Sequence, residues 1–157
     1  MFGNPRRLAN GRRQDHEVII PDDKDWTWVL AARCPDCGFD AGSCSAKSVA
    51  SLTRENADQW RRLLSSGRIR AGRPNDTTWS SLEYACHVRD VCTIYDKRLH
   101  LMLDEDDPLF ENWDQDETAV DAKYGEQDPA EVLGQLETEA ERLAASFDTV
   151  TEDQWQR

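Results

Sequence analysis

His87 is the residue best placed to do chemistry. Glu83 lies four positions before it and Asp90 three after, so on a helix all three project from one side. A neutral imidazole flanked by carboxylates can hold a metal ion while a carboxylate orients its far nitrogen, or it can act as a general base. The same residues also permit a plainer arrangement, a half-buried histidine paired with Glu83 for helix stability. Cys34-Pro35-Asp36-Cys37-Gly38 is the second candidate. A Cys-x-x-Cys knuckle places two thiolates on one tetrahedral ion. No second Cys-x-x-Cys completes a zinc ribbon, and the βαβ pattern that frames a thioredoxin-type pair is lacking. Three readings stay open: half of a metal site completed elsewhere, a redox pair, or reduced structural thiols. His87 is the obvious residue to complete the site, with Cys86 and Cys92 as weaker options.

These groups need helices to hold them. Ser80 followed by Glu83 is a capping-box signature. Beyond it Tyr84, Val88, Val91, Tyr95, Leu99 and Met102 recur at three- and four-residue steps, which predicts a long amphipathic helix over 79–103 with that stripe inward. Ser48 is the expected cap of an earlier helix over 48–66, with Val49, Leu52, Asn56, Trp60, Leu63 and Leu64 inside and Gly67 closing it. Asp128-Pro129-Ala130-Glu131 starts a third helix, over 129–149, facing inward with Val132, Leu133, Leu136, Ala140, Leu143, Phe147 and Val150. Between the second and third helices, residues 104–127 form a long acidic segment carrying Phe110, Trp113 and Tyr124. Spaced aromatics imply that it docks over a mouth of the bundle, where Trp113, Asp114 and Asp116 line a pocket. A calcium loop fits it less well, because the EF-hand spacing and glycine are missing. Trp26-Thr27-Trp28-Val29-Leu30 is expected to pack on the bundle, and Thr151 to Trp155 to form a loop.

Composition narrows the function classes. With 157 residues the chain is sized for one domain with a single core. Charged residues make up 32% and the net charge is −12, so the surface repels phosphate backbones and anionic membranes. No apolar run approaches the ~18–20 residues of a membrane span. The N-terminus has arginines but no apolar signal core, so a cytoplasmic location is expected. Five cysteines without an export signal read as thiols or metal ligands rather than a disulfide framework. Residues 1–25, with Arg6, Arg7, Arg12 and Arg13, read as a mobile basic arm that is solvated or contacts an acidic partner or the chain's own body. Residues 26–157 then form the folded domain.

Trp79-Ser-x-x-Glu-Tyr-x-x-His-Val-x-Asp90 resembles the start of the second helix of DinB-like proteins. The actinobacterial branch is also similar at Cys34-Pro-Asp-Cys-Gly-Phe-Asp40, at Asp104-Glu-Asp-Asp-Pro-Leu-Phe110 and at Asn112-Trp-Asp-Gln-Asp-Glu-Thr118. The resemblance implies an all-α, antiparallel four-helix bundle that holds a divalent ion, zinc first, on three histidines. His87 is the first of these. The other two belong to a final helix with a His-x-x-x-His pair, and the sequence stops before such a helix. Truncation is therefore expected, or a partner that supplies the missing helix. The implied activity is metal-dependent transfer of a low-molecular-weight thiol of the mycothiol type to an electrophile. Glu83 or Asp90 would orient His87, and Trp113 with Asp114 would contact substrate. The alternative is a non-catalytic zinc-binding regulatory or adaptor protein using Cys34, Cys37 and His87, its acidic surface and basic arm serving a protein partner.

Overall fold

Ser80 has extended backbone, and its side chain accepts the Glu83 N–H while Glu83 returns to the Ser80 N–H, so the capping box is complete. In the computed structural model, which describes residue 25 and residues 27–156, it opens the longest helix. The arm expected over 1–25, except Asp25, and Trp26 lie outside the described residues. Among the described residues four α-helices follow in order: α1 (Val49–Ser65), α2 (Ser81–Asp104), α3 (Gln115–Asp121) and α4 (Pro129–Asp148). Among the described residues there is no strand, only an isolated bridge between Asn75 and Thr78. The domain is all-α.

The three long helices stand where the caps predict. Asp128 accepts the N–H groups of Ala130 and Glu131, with Pro129 in the first turn of α4. Gly67 follows α1 at φ +68°, a left-handed position that glycine takes without strain. Ser48 departs from expectation. Its hydroxyl donates to Ser45 O (2.9 Å separates the backbone pair, 2.7 Å the hydroxyl) and caps nothing, because a 3-10 turn over Ala46–Ser48 already leads into α1.

α4 lies between α1 and α2 and packs along both. One core cluster joins Leu64, Trp79, Leu82, Ala85, Cys86, Ala119, Tyr124 and Val132 around the start of α2. A second joins Ala57 of α1, Cys92 of α2, and Leu136, Ala140 and Leu143 of α4. Each buried Val or Leu contributes about 1.5–3 kcal/mol. Along the α1–α4 seam Arg54 meets Glu141 in a bidentate pair (2.8 and 2.8 Å) and Asp148 (2.9 Å), and Arg61 pairs with Glu137. Exposed pairs of this kind stabilise by ~0–1 kcal/mol, so their role is to match the two helices in register.

The inward faces of two helices differ from the expected stripes. On α2 only Leu99 of the six expected residues is buried; Tyr84, Tyr95 and Met102 are exposed, while Leu82, Ala85, Cys86, Cys92 and Asp96 turn inward. On α1 Leu52, Asn56 and Leu63 face solvent, and Ala50, Ala57 and Leu64 are buried. Small side chains at these contacts let the helix backbones approach, so the close-packed faces are not the ones with the largest residues. Of residues 26–30, expected to pack on the bundle, Trp26 lies outside the described residues and Val29 alone of the others is half-buried. Thr27–Leu30 is a 3-10 turn with no buried residue, and Leu30 is 74% exposed. At the other end Gln154–Gln156 is also a 3-10 turn rather than a loop, and Trp155 stacks on Phe147 (5.7 Å, 7°).

Candidate functional site

Two indoles hold the His87 ring. Trp79 immediately precedes the Ser80 cap, is buried, and meets the imidazole edge-on (5.0 Å, 62°). Trp79 also packs on Tyr84 (5.5 Å) as a hydrophobic staple across the cap, and on Tyr124 (6.3 Å). Trp113 arrives from the acidic segment and stacks on the imidazole (5.4 Å, 6°). Its Nε1–H donates to Thr118 Oγ1 (2.8 Å) on α3. Asp114 caps α3 by accepting the N–H groups of Asp116 and Glu117. The docking expected of residues 104–127 is thus made by Trp113 and the buried Tyr124, with a short helix, α3, that periodicity did not reveal.

His87 Nδ1 and Trp79 Nε1 are both buried and make no hydrogen bond. Leaving such a group unpaired costs ~1–3 kcal/mol, so a buried orphan next to a reactive lone pair calls for a partner. Burial holds the His87 imidazole below its ordinary pKa, and the nearby Asp90 carboxylate offsets this only in part. The ring is therefore neutral near pH 7, the form that donates a lone pair to a metal or accepts a proton.

Asp90 itself is committed elsewhere. It accepts the Tyr124 hydroxyl and Arg89 Nε–H (2.7 Å). Arg89 Nη1 reaches Gln127 (2.8 Å) and Gln135 (2.7 Å), and the Cys86 thiol lies against the same Gln127 oxygen (3.5 Å). Burial, followed by the hydrogen bond to Asp90, pushes the Tyr124 phenol well above its ordinary value. This network ties α2 to the turn that precedes α4. Tyr124→Phe removes one charge-assisted bond and is expected to cost ~1.5–3 kcal/mol in chemical denaturation. A loss under ~0.5 kcal/mol would mean that Arg89 alone satisfies Asp90.

Glu83 does not touch His87. Besides capping Ser80 it takes Arg73 in a bidentate pair, Nη2 to Oε1 at 2.7 Å and Nε to Oε2 at 3.1 Å. The plain histidine–Glu83 pair is therefore absent, and so is an orienting role for Glu83. Cys34 and Cys37 form a tight turn, with Gly38 N–H donating to Cys34 O (2.9 Å) and Cys34 N–H to Phe39 O (2.7 Å). The backbone N–H groups of Cys37 and Asp36, then the Cys37 thiol, hold Cys34 below its ordinary thiol value. Among the described residues no three His, Cys, Asp or Glu side chains gather into a metal-binding group, so Cys34, Cys37 and His87 are not brought together as one site. Cys86 and Cys92 are buried, and desolvation pushes both thiols up to about 11, which keeps them protonated and inert.

Sequence reasoning gave Trp79 no role beside His87, and gave Tyr124 docking but not its bond to Asp90. The signal for Trp79 was present: an aromatic directly before a capping serine, with Tyr84 at the fourth helical position, is a staple. Nothing local marks Tyr124 as the partner of Asp90. Comparison of the chain with known protein families, characterised proteins and solved structures returns no match. No described helix is long and apolar enough to cross a membrane.

Proposed function

We propose that this chain is a DinB-like metal protein that uses His87 as a ligand and acts as a thiol S-transferase of the mycothiol type. The observation that carries the reading is the buried, unpartnered Nδ1 on an imidazole kept neutral between two indoles. That donor fits a divalent ion, zinc first. His87 supplies one ligand, and the resemblance implies the others on a His-x-x-x-His helix that this sequence does not contain. When bound, the ion supplies Lewis acidity that keeps a low-molecular-weight thiol deprotonated near neutrality. The chain's own residues do the rest. Trp79 and Trp113 fix the plane of the ring and exclude water from its inner edge. Asp90, anchored by Tyr124 and Arg89, places negative charge behind the imidazole without binding it. Trp113 is the wall against which a substrate would lie; Asp114 positions that wall by capping α3.

A second reading is a non-catalytic zinc-binding regulatory or adaptor protein built on the knuckle. It is favoured by one specific observation, the tight turn that Gly38 N–H to Cys34 O (2.9 Å) and Cys34 N–H to Phe39 O (2.7 Å) close around the two cysteines, beside which the Cys34 thiol is held below its ordinary value. Metal analysis of a chain that also carries the implied His-x-x-x-His helix separates the readings. His87→Ala is expected to lower zinc affinity at least ten- to a hundredfold, since even the loss of a residue behind a ligand costs that much. Cys37→Ser is expected to leave it unchanged. The reverse pattern would transfer the site to the knuckle, and metal content unchanged in His87→Ala would reject the transferase.

A further inference from the structure

Beyond Trp113 a cavity of about 510 Å³ runs along α2, lined by Ile94, Lys97, Arg98, Leu101, Phe110 and Trp113 among others. It is an open groove, with Leu109 on its rim 93% exposed, and its volume lies within the range of small-molecule sites. His87, Ile94, Arg98 and Leu101 follow one another at seven, four and three positions, which places them on one strip of the helix. Trp113 both stacks on His87 and lines the cavity, so the two share a wall.

The lining has two chemistries. Ile94, Leu101, Leu109, Phe110 and Trp113 are apolar, and Phe110 is 42% exposed. Lys97 and Arg98 bring two positive charges together on a chain whose net charge is −12. Arg98 lies over the Phe110 ring (5.2 Å) and the Tyr95 ring (5.9 Å), and one Nη2–H goes to Glu111 O (3.0 Å). Cation–π contact occupies the faces of the guanidinium and leaves in-plane donors for a carboxylate. Lys97 pairs with no carboxylate among the described residues. Glu111 also lines the cavity, so the local charge is close to +1 and suits a monoanion rather than a phosphate dianion. Glu105, Asp106 and Asp107 lie on the other side of Phe110, so an anion here is held by direct contact with Lys97 and Arg98 rather than by the wider field.

We propose that this cavity binds an amphipathic monocarboxylate. Its head sits on Lys97 and Arg98, its apolar body runs along Ile94, Leu101 and Phe110, and its far end reaches Trp113. The inference rests on the reading of His87 as the reactive centre and names the class of acceptor that centre would serve: an apolar acid whose electrophilic end lies away from its carboxylate. The levels of Lys97 and His87 on α2 differ by roughly 15 Å at 1.5 Å per residue, so a chain of medium length spans the distance to the Trp113 wall.

Calorimetry on the full chain with octanoate and 1-octanol tests it. Octanoate should bind saturably, and 1-octanol about tenfold more weakly, the loss of one charge-assisted contact. Lys97→Gln should weaken octanoate about five- to tenfold, and Lys97→Arg should restore it. Lys97 is exposed and outside the core, so neither variant threatens the fold. Equal binding of acid and alcohol, no saturable octanoate binding, or an unchanged affinity in Lys97→Gln would each overturn the assignment. Octanoate affinity retained in His87→Ala would support the cavity independently of the metal, so failure of one reading is visible without failure of the other.

Discussion

Leu136→Ala is expected to destabilise the domain by ~2–5 kcal/mol, the range for truncating a buried leucine. Leu136 is fully buried and sits where three helices meet, against Ala57 of α1, Cys92 of α2, and Ala140 and Leu143 of α4. Its neighbours include two alanines and a cysteine, side chains too short to swing into the space. Trp60, Val88 and Phe147 flank the same cluster, and how far they relax toward the void sets the cost within that range. Urea unfolding followed by circular dichroism measures it, with Leu52→Ala on the exposed face of α1 as the comparison, at under ~1 kcal/mol. Similar losses in the two variants would show that α4 is not the shared wall of the core.

Glu83→Ala is expected to cost ~3–5 kcal/mol, because it breaks a buried ion pair and a cap together. Arg73, with 21% of its side chain exposed, would keep its charge without the carboxylate, and the Ser80 N–H would lose its acceptor. The same residue sets an acid limit. Burial works to raise the Glu83 carboxyl, but Arg73 and the Ser80 N–H outweigh it and hold it below 4.5. A depressed carboxylate contributes stability that is complete above its unfolded value. That stability is lost as pH falls through the lower folded value. Wild-type protein should therefore lose stability below about pH 4.5, and Glu83→Gln should lose less over that window. Parallel pH profiles for the two proteins would remove Glu83 as the titrating group.

Helix limits were legible because they rest on local chemistry. Ser80 with Glu83, Asp128 with Pro129, and Gly67 each satisfy or end a helix within a few residues, and the structure puts α1, α2 and α4 within two residues of the expected bounds. The inward faces were legible only for α4, where Val132, Leu136, Ala140 and Leu143 are both periodic and buried. α2 carries two apolar strips, and nothing local says which one a partner covers. Tyr84, Tyr95 and Met102 outweigh Ala85, Cys86 and Cys92 in hydrophobic content but not in fit. His87 stood out by type and spacing, whereas its contact with Trp113 depends on the path of a loop. The segment turns through left-handed positions at Asp107 (φ +51°) before Trp113 and Lys123 (φ +48°) after it, and lysine gives no local signal for such a turn, aspartate only a weak one.

The place of α4 between α1 and α2 also shapes how the chain folds. α1 finds its packing surface on a helix that follows it by most of the domain: Arg54 is 87 positions from Glu141. Direct contact between α1 and α2 is slight beside what each makes with α4. A ribosome therefore releases both flanking helices before the element that joins them exists, and at ~5–20 residues per second the wait lasts seconds. In that interval Leu64, Leu82 and Cys86 lack the cover that Val132 and Leu133 of α4 later supply. Helix-rich domains usually fold through local contacts and rapidly; here α2 and α4 can pair across residues 105–128, and the docking of α1 closes the longer loop.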